Sequence, residues 1–588
     1  EKQGEFYGAV FQDSDVAKWL EAVAYTLAEK PDKELKKLAD SVIELIGRAQ
    51  EPDGYFNTYF ILKEPGQRFR NLREGHELYT LGHMIEAAVA YKRATGEKRF
   101  LEIVQKMADL VANTFGVEEG KRMGMPGHQE IELALMKLYE ETGKESYKEL
   151  AKYFIDVRGC GNRNYFLEEM KQKDVKRIFP ELNDYRPEYS QSHLPVRKQR
   201  TAEGHAVRAV YMYAAMADIA AEYDDEELLG ACETLWNNMV HRRMYVTGGI
   251  GSSGILERFT ADYDLPNDYN YCESCASIGL AFFARRMMQI TKKAKYVEVM
   301  ERALYNTVLA GIAMDGKSFF YVNPLEVWPP SCMERTSKEH VKSVRQKWFG
   351  VACCPANISR TLASLGEYIY ACEKDTIYVN LFIGNETQIT VGEQKVHLSL
   401  ETDFPWKNQF KINVSGVKES VQLAVRIPEY AQDYKIFCEG REQFYKEKDG
   451  YAYITCEKNG RYEVQFVSEP RFVRANPKVR ADEGKVCVMW GPLVYTVEET
   501  DNGENLQALY IDTAKPVKKS EKEEFPMLIA AGKRICESGW GEEELYGSHP
   551  LEFAETEITL VPYAYWGNRE NGEMAVWLKE YLSDRNNK

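Results

Sequence analysis

His205-Ala-Val-Arg-Ala-Val-Tyr211 opens a run of small apolar residues that continues to Ala221, and its reading decides the fold class. A helix apolar nearly all round belongs in an interior, whereas a single apolar stripe marks an outer helix. Three further stretches begin the same way: His83-Met-Ile-Glu-Ala-Ala-Val-Ala-Tyr91, His128-Gln-Glu-Ile-Glu-Leu-Ala-Leu135 and Cys275-Ala-Ser-Ile-Gly-Leu-Ala-Phe-Phe283. Amphipathic stretches lie between them, as at Trp19, Leu20, Val23 and Leu27, or Leu35, Leu38, Val42 and Leu45. Alternation of the two kinds through about residue 372 predicts concentric inner and outer rings, an (α/α)6 toroid. An α-solenoid of helix pairs is the competing reading. Repeat starts spaced unevenly, from 45 to 77 residues apart, argue against it.

After Cys372 the period changes from helical to two. Thr376-Ile-Tyr-Val-Asn-Leu-Phe382, Val396–Leu400, Phe410–Val414, Val421–Val425 and Tyr451–Thr455 alternate as half-buried strands do. A second set includes Lys485–Trp490, Leu493–Val497, Glu557–Val561 and Met574–Leu578, with the charged stretch Lys515–Glu524 read as a surface loop. The expected organisation is multidomain α + β: a helical toroid over 1–372 and two antiparallel β-sandwiches over 373–475 and 476–588. The last strand either stays in the second sandwich or returns to the first.

A formal charge of −15 without a basic stripe excludes an ordinary nucleic-acid binder, and no apolar run approaches a membrane span. The chain begins Glu1-Lys2-Gln3-Gly4, with no signal-peptide pattern and no initiator methionine, as a trimmed start would. Twelve irregularly spaced cysteines in so long a chain read as free thiols, which favours a cytoplasmic location. The 37 tyrosines suit sugar-binding surfaces as well as cores.

Chemistry concentrates at two places. Cys353-Cys354-Pro-Ala-Asn357 stands ahead of a helix expected from about Ile358, and Cys272-Glu273-Ser274-Cys275 lies some 80 residues upstream. Spacing alone allows a closed four-cysteine zinc site from Cys272, Cys275, Cys353 and Cys354. It equally allows a mixed site in which Glu273 joins Cys275 and the vicinal pair. The glycine-rich Gly248-Gly-Ile-Gly-Ser-Ser-Gly254 lacks a P-loop ending but could carry Glu257 into a cleft as a general acid. His76, His83, His128 and His205 fall at or just before inner-helix starts, where they could hydrogen-bond a polyhydroxylated substrate.

These residues carry a resemblance. Asp13-Ser-Asp-Val-Ala-Lys-Trp-Leu-Glu21, Gln50-Glu-Pro-Asp-Gly-Tyr-Phe-Asn-Thr58, His76-Glu-Leu-Tyr79, Gly204-His205 and the 248–267 loop are similar to glycoside hydrolase family 127. So are Glu273-Ser-Cys-Ala-Ser277, Cys353-Cys-Pro-Ala-Asn357 and Trp490-Gly-Pro-Leu-Val-Tyr495, and the family's characterised members include β-L-arabinofuranosidases. The resemblance implies Zn2+ held by Glu273, Cys275, Cys353 and Cys354, with Cys272 outside the ligand set. It also implies Cys353 as nucleophile, Glu257 as general acid/base, and sugar contacts from His76, His128, His205 and Tyr321. His83, close in sequence to His76, competes for one of those contacts.

The implied activity is retaining, exo-acting release of L-arabinofuranose from β-linked oligosaccharides or glycosides, with no nucleic-acid or membrane partner. Another unusual sugar within the same family is an alternative. A second is a conventional glycosidase pairing Glu257 with Asp262 or Asp264 around a structural zinc. The third is a non-catalytic carbohydrate-binding protein. A homodimer built on a β-domain surface is compatible with the sequence.

Overall fold

Twelve α-helices of five or more residues precede the β-rich half of the chain, whose computed structural model describes residues 6–520 and 527–582. They are α1 (Asp13–Glu29), α2 (Lys33–Ala49), α3 (Glu77–Thr95), α4 (Arg99–Thr114), α5 (Ile131–Thr142), α6 (Glu145–Val157), a short α7 (Tyr165–Glu169), α8 (Ala206–Glu222), α9 (Glu226–Arg242), α10 (Ser274–Thr291), α11 (Ala294–Ala303) and α12 (Cys353–Ala363). Every residue of α3 from Glu77 to Tyr91 is buried, as is every residue of α8 from Ala206 to Ala217. By contrast α2 buries only Ala39 and Ile43. Small side chains let the buried helices approach closely. A β-carbon at Gly279 of α10 would lie 2.4 Å from Val210 and 3.0 Å from the Tyr211 ring, both on α8.

Contacts among the buried helices close a ring: α1 packs on α3, α3 on α5, α5 on α8, α8 on α10, α10 on α12, and α12 back on α1. Helices α2, α4, α6, α9 and α11 lie outside, each beside the inner helix that precedes it. His76, His205 and Glu273 immediately precede α3, α8 and α10, His128 lies just ahead of α5, and Cys353 begins α12. The side chains singled out in the sequence therefore meet where inner helices begin, at backbone ends that carry partial positive charge.

From Tyr370 onward the chain is mainly strand. Five strands (446–448, 451–456, 421–426, 376–379, 370–373) face six (385–391, 394–402, 409–415, 460–467, 432–438, 441–442). Inward residues such as Ile377, Leu423, Leu398, Ile412 and Val464 share one core. This unit is not wholly antiparallel, because Thr376–Val379 runs parallel to Val421–Arg426.

The C-terminal strands depart further from expectation. With Glu326–Val327 of the helical half they form one ten-stranded sheet, not two facing ones, and pairing of 485–490 with 493–498 closes six strands into a ring. Arg471–Val473 pairs with 487–489, which moves the boundary between the β units upstream of residue 475. The last strand, Leu578–Tyr581, pairs with 509–512 and 485–486 and so stays in the second unit. Within 485–490 the two faces have different neighbours. Val486, Val488 and Trp490 fill the sheet's interior, while Cys487 and Met489 pack with Phe320, Leu325 and Cys272 of the helical half. Of the expected 515–524 loop, Lys518–Lys519 form a short strand and 521–526 lie outside the described residues. All twelve cysteines are free thiols, and among the described residues no helix is long and apolar enough to cross a membrane.

Candidate active site

At the helix-start end of the ring opens a cavity of about 500 Å³. Its wall includes His76, His128, His205, Glu257, Glu273, Cys275, Tyr321 and Cys353. Cys354 lies behind Cys353, fully buried.

Glu273 stands at the N-cap of α10 and Cys275 in its first turn. Cys353 and Cys354 are the first two residues of α12, so the helix starts at the cysteine pair and not near Ile358. Pro355 is tolerated there because first-turn amides have no intrahelical acceptor. Two helix N-termini thus point at the three sulfurs, a setting that favours thiolates. The Sγ–Sγ separations are 3.5 Å (Cys275–Cys354), 3.8 Å (Cys353–Cys354) and 3.9 Å (Cys275–Cys353). Glu273 Oε1 lies 3.5 Å from Cys353 Sγ and 3.7 Å from Cys354 Sγ.

A tetrahedral zinc with Zn–S bonds near 2.3 Å requires S–S edges of about 3.8 Å and slightly shorter S–O edges. The donor set therefore fits zinc in both chemistry and spacing. Its members also disfavour one another's ionisation. Burial, reinforced by Cys353, pushes the Glu273 carboxyl far up, and burial with the Cys275 contact does the same to Cys354. Hydrogen bonding with Cys275 raises Cys353. Burial opposes ionisation of Cys275 as well, but its contacts with Cys353 and Cys354 prevail and bring it to about 6.

Cys272 takes no part. Its backbone is left-handed (φ 44°), and its Sγ packs against Gly249, where a β-carbon would come within 2.7 Å. The side chain joins the core shared with the C-terminal sheet. The four-cysteine reading fails because that turn sends Cys272 and Cys275 to opposite sides.

Glu257 reaches the cavity on a strained turn in which both it (φ 53°) and Leu256 (φ 59°) are left-handed. His205 Nε2 lies 2.6 Å from its Oε2, and the Tyr271 hydroxyl donates to Oε1 at 2.9 Å. Burial alone would raise the Glu257 carboxyl, but these two partners pull it below its ordinary value. Donor atoms of His205, Glu257 and Glu273 all fall within 4.8 Å of one another, which sets Glu257 beside the cysteine cluster. Tyr321 is positioned by Ser274, whose backbone N–H donates to the Tyr321 carbonyl at 3.1 Å, and its hydroxyl lies 2.9 Å from Cys353 Sγ.

The three cavity histidines stand in a series, one pair tilted and the other edge-to-face, with ring centroids 5.7 Å (His76–His128) and 5.5 Å (His128–His205) apart. Nδ1 of His76 pairs with the Glu74 carbonyl at 2.6 Å and Nδ1 of His128 with the Gln129 carbonyl at 2.8 Å. Each Nε2 is thereby left as an acceptor. Burial lowers all three, His76 to about 3. Neutral rings suit His76 and His128 to accept from hydroxyl groups, whereas Nε2 of His205 donates to Glu257. His83 is fully buried away from the cavity, edge-on to Tyr79 with centroids 4.6 Å apart.

Neither proposed second carboxylate lines the cavity. Asp262 accepts from Arg243 (2.7 Å), Asn238 (3.0 Å) and Arg242 (3.1 Å), and Asp264 borders a separate groove. Sequence reasoning missed Tyr79, Arg208 and Tyr271. Tyr79 and Arg208 stand three residues after His76 and His205, so helical spacing from those histidines could have found them. Tyr271 had no such signal.

Known proteins resemble this chain along nearly its whole length. The β-L-arabinofuranosidase GH127 catalytic-domain model matches residues 2–367, the corresponding middle-domain model 376–468, and the family 127 C-terminal-domain model 470–579. A non-reducing end β-L-arabinofuranosidase from Bifidobacterium longum subsp. longum is 40% identical over 98% of this chain and 90% of its own length. A crystal structure of a GH127 β-L-arabinofuranosidase from Geobacillus stearothermophilus T6 superposes with a TM-score of 0.95 at 48% identity, covering 99% of this chain and 92% of that one. Another GH127 β-arabinofuranosidase gives 0.87 at 36% identity, covering 99% and 90%. The protein is accordingly a glycoside hydrolase. More narrowly, its chain belongs to glycoside hydrolase family 127.

Proposed function

We propose that this enzyme is a retaining exo-β-L-arabinofuranosidase that uses Cys353 as nucleophile and Glu257 as general acid/base. On this reading the closed helix ring is an (α/α)6 toroid forming the catalytic unit, and the two β units support it. The observation that carries the proposal is the group of Glu273, Cys275, Cys353 and Cys354, with edges of 3.5–3.9 Å and Cys353 facing the cavity. Zinc bound by these four residues would supply the positive charge that keeps the sulfurs as thiolates and eases departure of sulfur from carbon.

In the first step Cys353 Sγ attacks the anomeric carbon. The bond from that carbon to the leaving oxygen breaks, and Glu257 delivers its proton to that oxygen. In the second, Glu257 takes a proton from water, the water oxygen bonds to the anomeric carbon, and the carbon–sulfur bond breaks. Tyr321 steadies the sulfur through its 2.9 Å contact, and the Nε2 atoms of His76 and His128 accept from sugar hydroxyls.

Hydrolysis of p-nitrophenyl β-L-arabinofuranoside, followed by proton NMR, tests the reading. The first-formed arabinose should keep the β configuration, and Cys353→Ser should lower kcat by at least about a thousandfold. An inverted first product, or near-wild-type turnover by Cys353→Ser, contradicts it.

A further inference from the structure

Lys18 stands in the sequence Asp13-Ser-Asp-Val-Ala-Lys-Trp-Leu-Glu21 on α1, and its side chain is fully buried. A buried ammonium needs compensation by paired charge or hydrogen bonds. Its Nζ donates to the Tyr79 hydroxyl at 3.0 Å, while the nearest carboxylate, Asp15, is 3.9 Å away. Neighbouring cations inside the ring are already committed. Arg360 sits between Glu21 (2.7 Å) and Glu86 (2.6 Å), Lys137 pairs with Glu86, and Arg208 donates to the Gly127 carbonyl at 2.6 Å. Lys18 and Arg208 therefore have neutral closest partners, a hydroxyl and a carbonyl, whereas Arg360 and Lys137 pair with carboxylates.

Its surroundings point to the counter-charge. Helix α1 packs between α3, which carries Tyr79, and α12, which begins with Cys353 and Cys354. Tyr79 lines the cavity together with Cys275 and Cys353. Tyr79 thus links the Lys18 ammonium to the wall that carries both thiols.

Three thiolates and a carboxylate around a divalent ion leave two surplus negative charges in a buried site. We infer that Lys18 is a positioning residue that balances this charge, acting across Tyr79 to strengthen zinc retention at the cysteine cluster. The inference rests on the reading of that cluster as a zinc site.

The test compares zinc-loaded wild type with Lys18→Met and Lys18→Arg, measuring zinc retention against a chromophoric chelator, kcat/KM and melting temperature. Lys18→Met should weaken zinc retention and kcat/KM by at least about tenfold, and Lys18→Arg should restore both to within about threefold of wild type. A folded Lys18→Met that retains zinc as wild type does overturns the inference. Should Lys18→Met fail to fold, Tyr79→Phe removes the hydroxyl that anchors Lys18 and spares the ring. It should release zinc more readily, and unchanged retention overturns the inference. Wild-type enzyme that takes up no zinc overturns the metal reading itself, a failure distinct from that of Lys18.

Discussion

At the scale of single residues the site is governed by who holds whose proton. His205 and Tyr271 hold Glu257 in its ionised form, while the first step needs Glu257 protonated. A group held below its ordinary pKa loses its proton early as pH rises, so the pair sets the alkaline side of the activity profile. Replacing His205 by Ala removes the larger stabiliser and lets the Glu257 pKa rise. The alkaline limb of kcat/KM against pH should move upward even as the maximum falls, and a limb that stays put contradicts the role given to the pair. Here the sequence was informative but incomplete. Glu273, Cys275, Cys353 and Cys354 stood out as residue types at metal-binding spacing, yet spacing could not choose between Cys272 and Glu273. That choice depends on a left-handed backbone at Cys272, which no local pattern announces.

At the scale of elements, the approach of α8 to α10 fixes where Cys275 sits. Gly279 lies one turn beyond Cys275 and against Val210 and Tyr211. Gly279→Ala gains up to about 1 kcal/mol of helix propensity but overpacks by about 1–3 kcal/mol. With the full propensity gain counted, the net expectation is a loss of up to about 2 kcal/mol by chemical denaturation, accompanied by a fall in activity as α10 is pushed outward. An unchanged melting curve would show that the helices are not in close contact there. Inner and outer helices were legible because small apolar residues all round and single apolar stripes are distinct patterns. The ring in the C-terminal sheet was not, because strand alternation reports which faces are buried and says nothing of which edges pair.

At the scale of the whole molecule, Arg426 joins the helical half to the first β unit. Fully buried, it donates to Glu298 (2.7 Å) and to the Asn380 carbonyl (2.7 Å) and pairs with Glu301, which also accepts from Tyr430 at 3.0 Å. Arg426→Met leaves the buried Glu301 and the half-buried Glu298 without their cation and should cost about 3–5 kcal/mol, read as a lowered denaturation midpoint. A midpoint within error of wild type would mean that the two halves do not depend on this pair. The central claim, that Cys353 becomes bonded to sugar, is tested most directly by intact-protein mass spectrometry of Glu257→Gln with p-nitrophenyl β-L-arabinofuranoside. That leaving group departs without an acid, whereas the second step still needs Glu257 to activate water. The account predicts a gain of one arabinosyl unit, mapped by peptide analysis to Cys353. An adduct on another residue, or turnover with no adduct and inverted product, would contradict it.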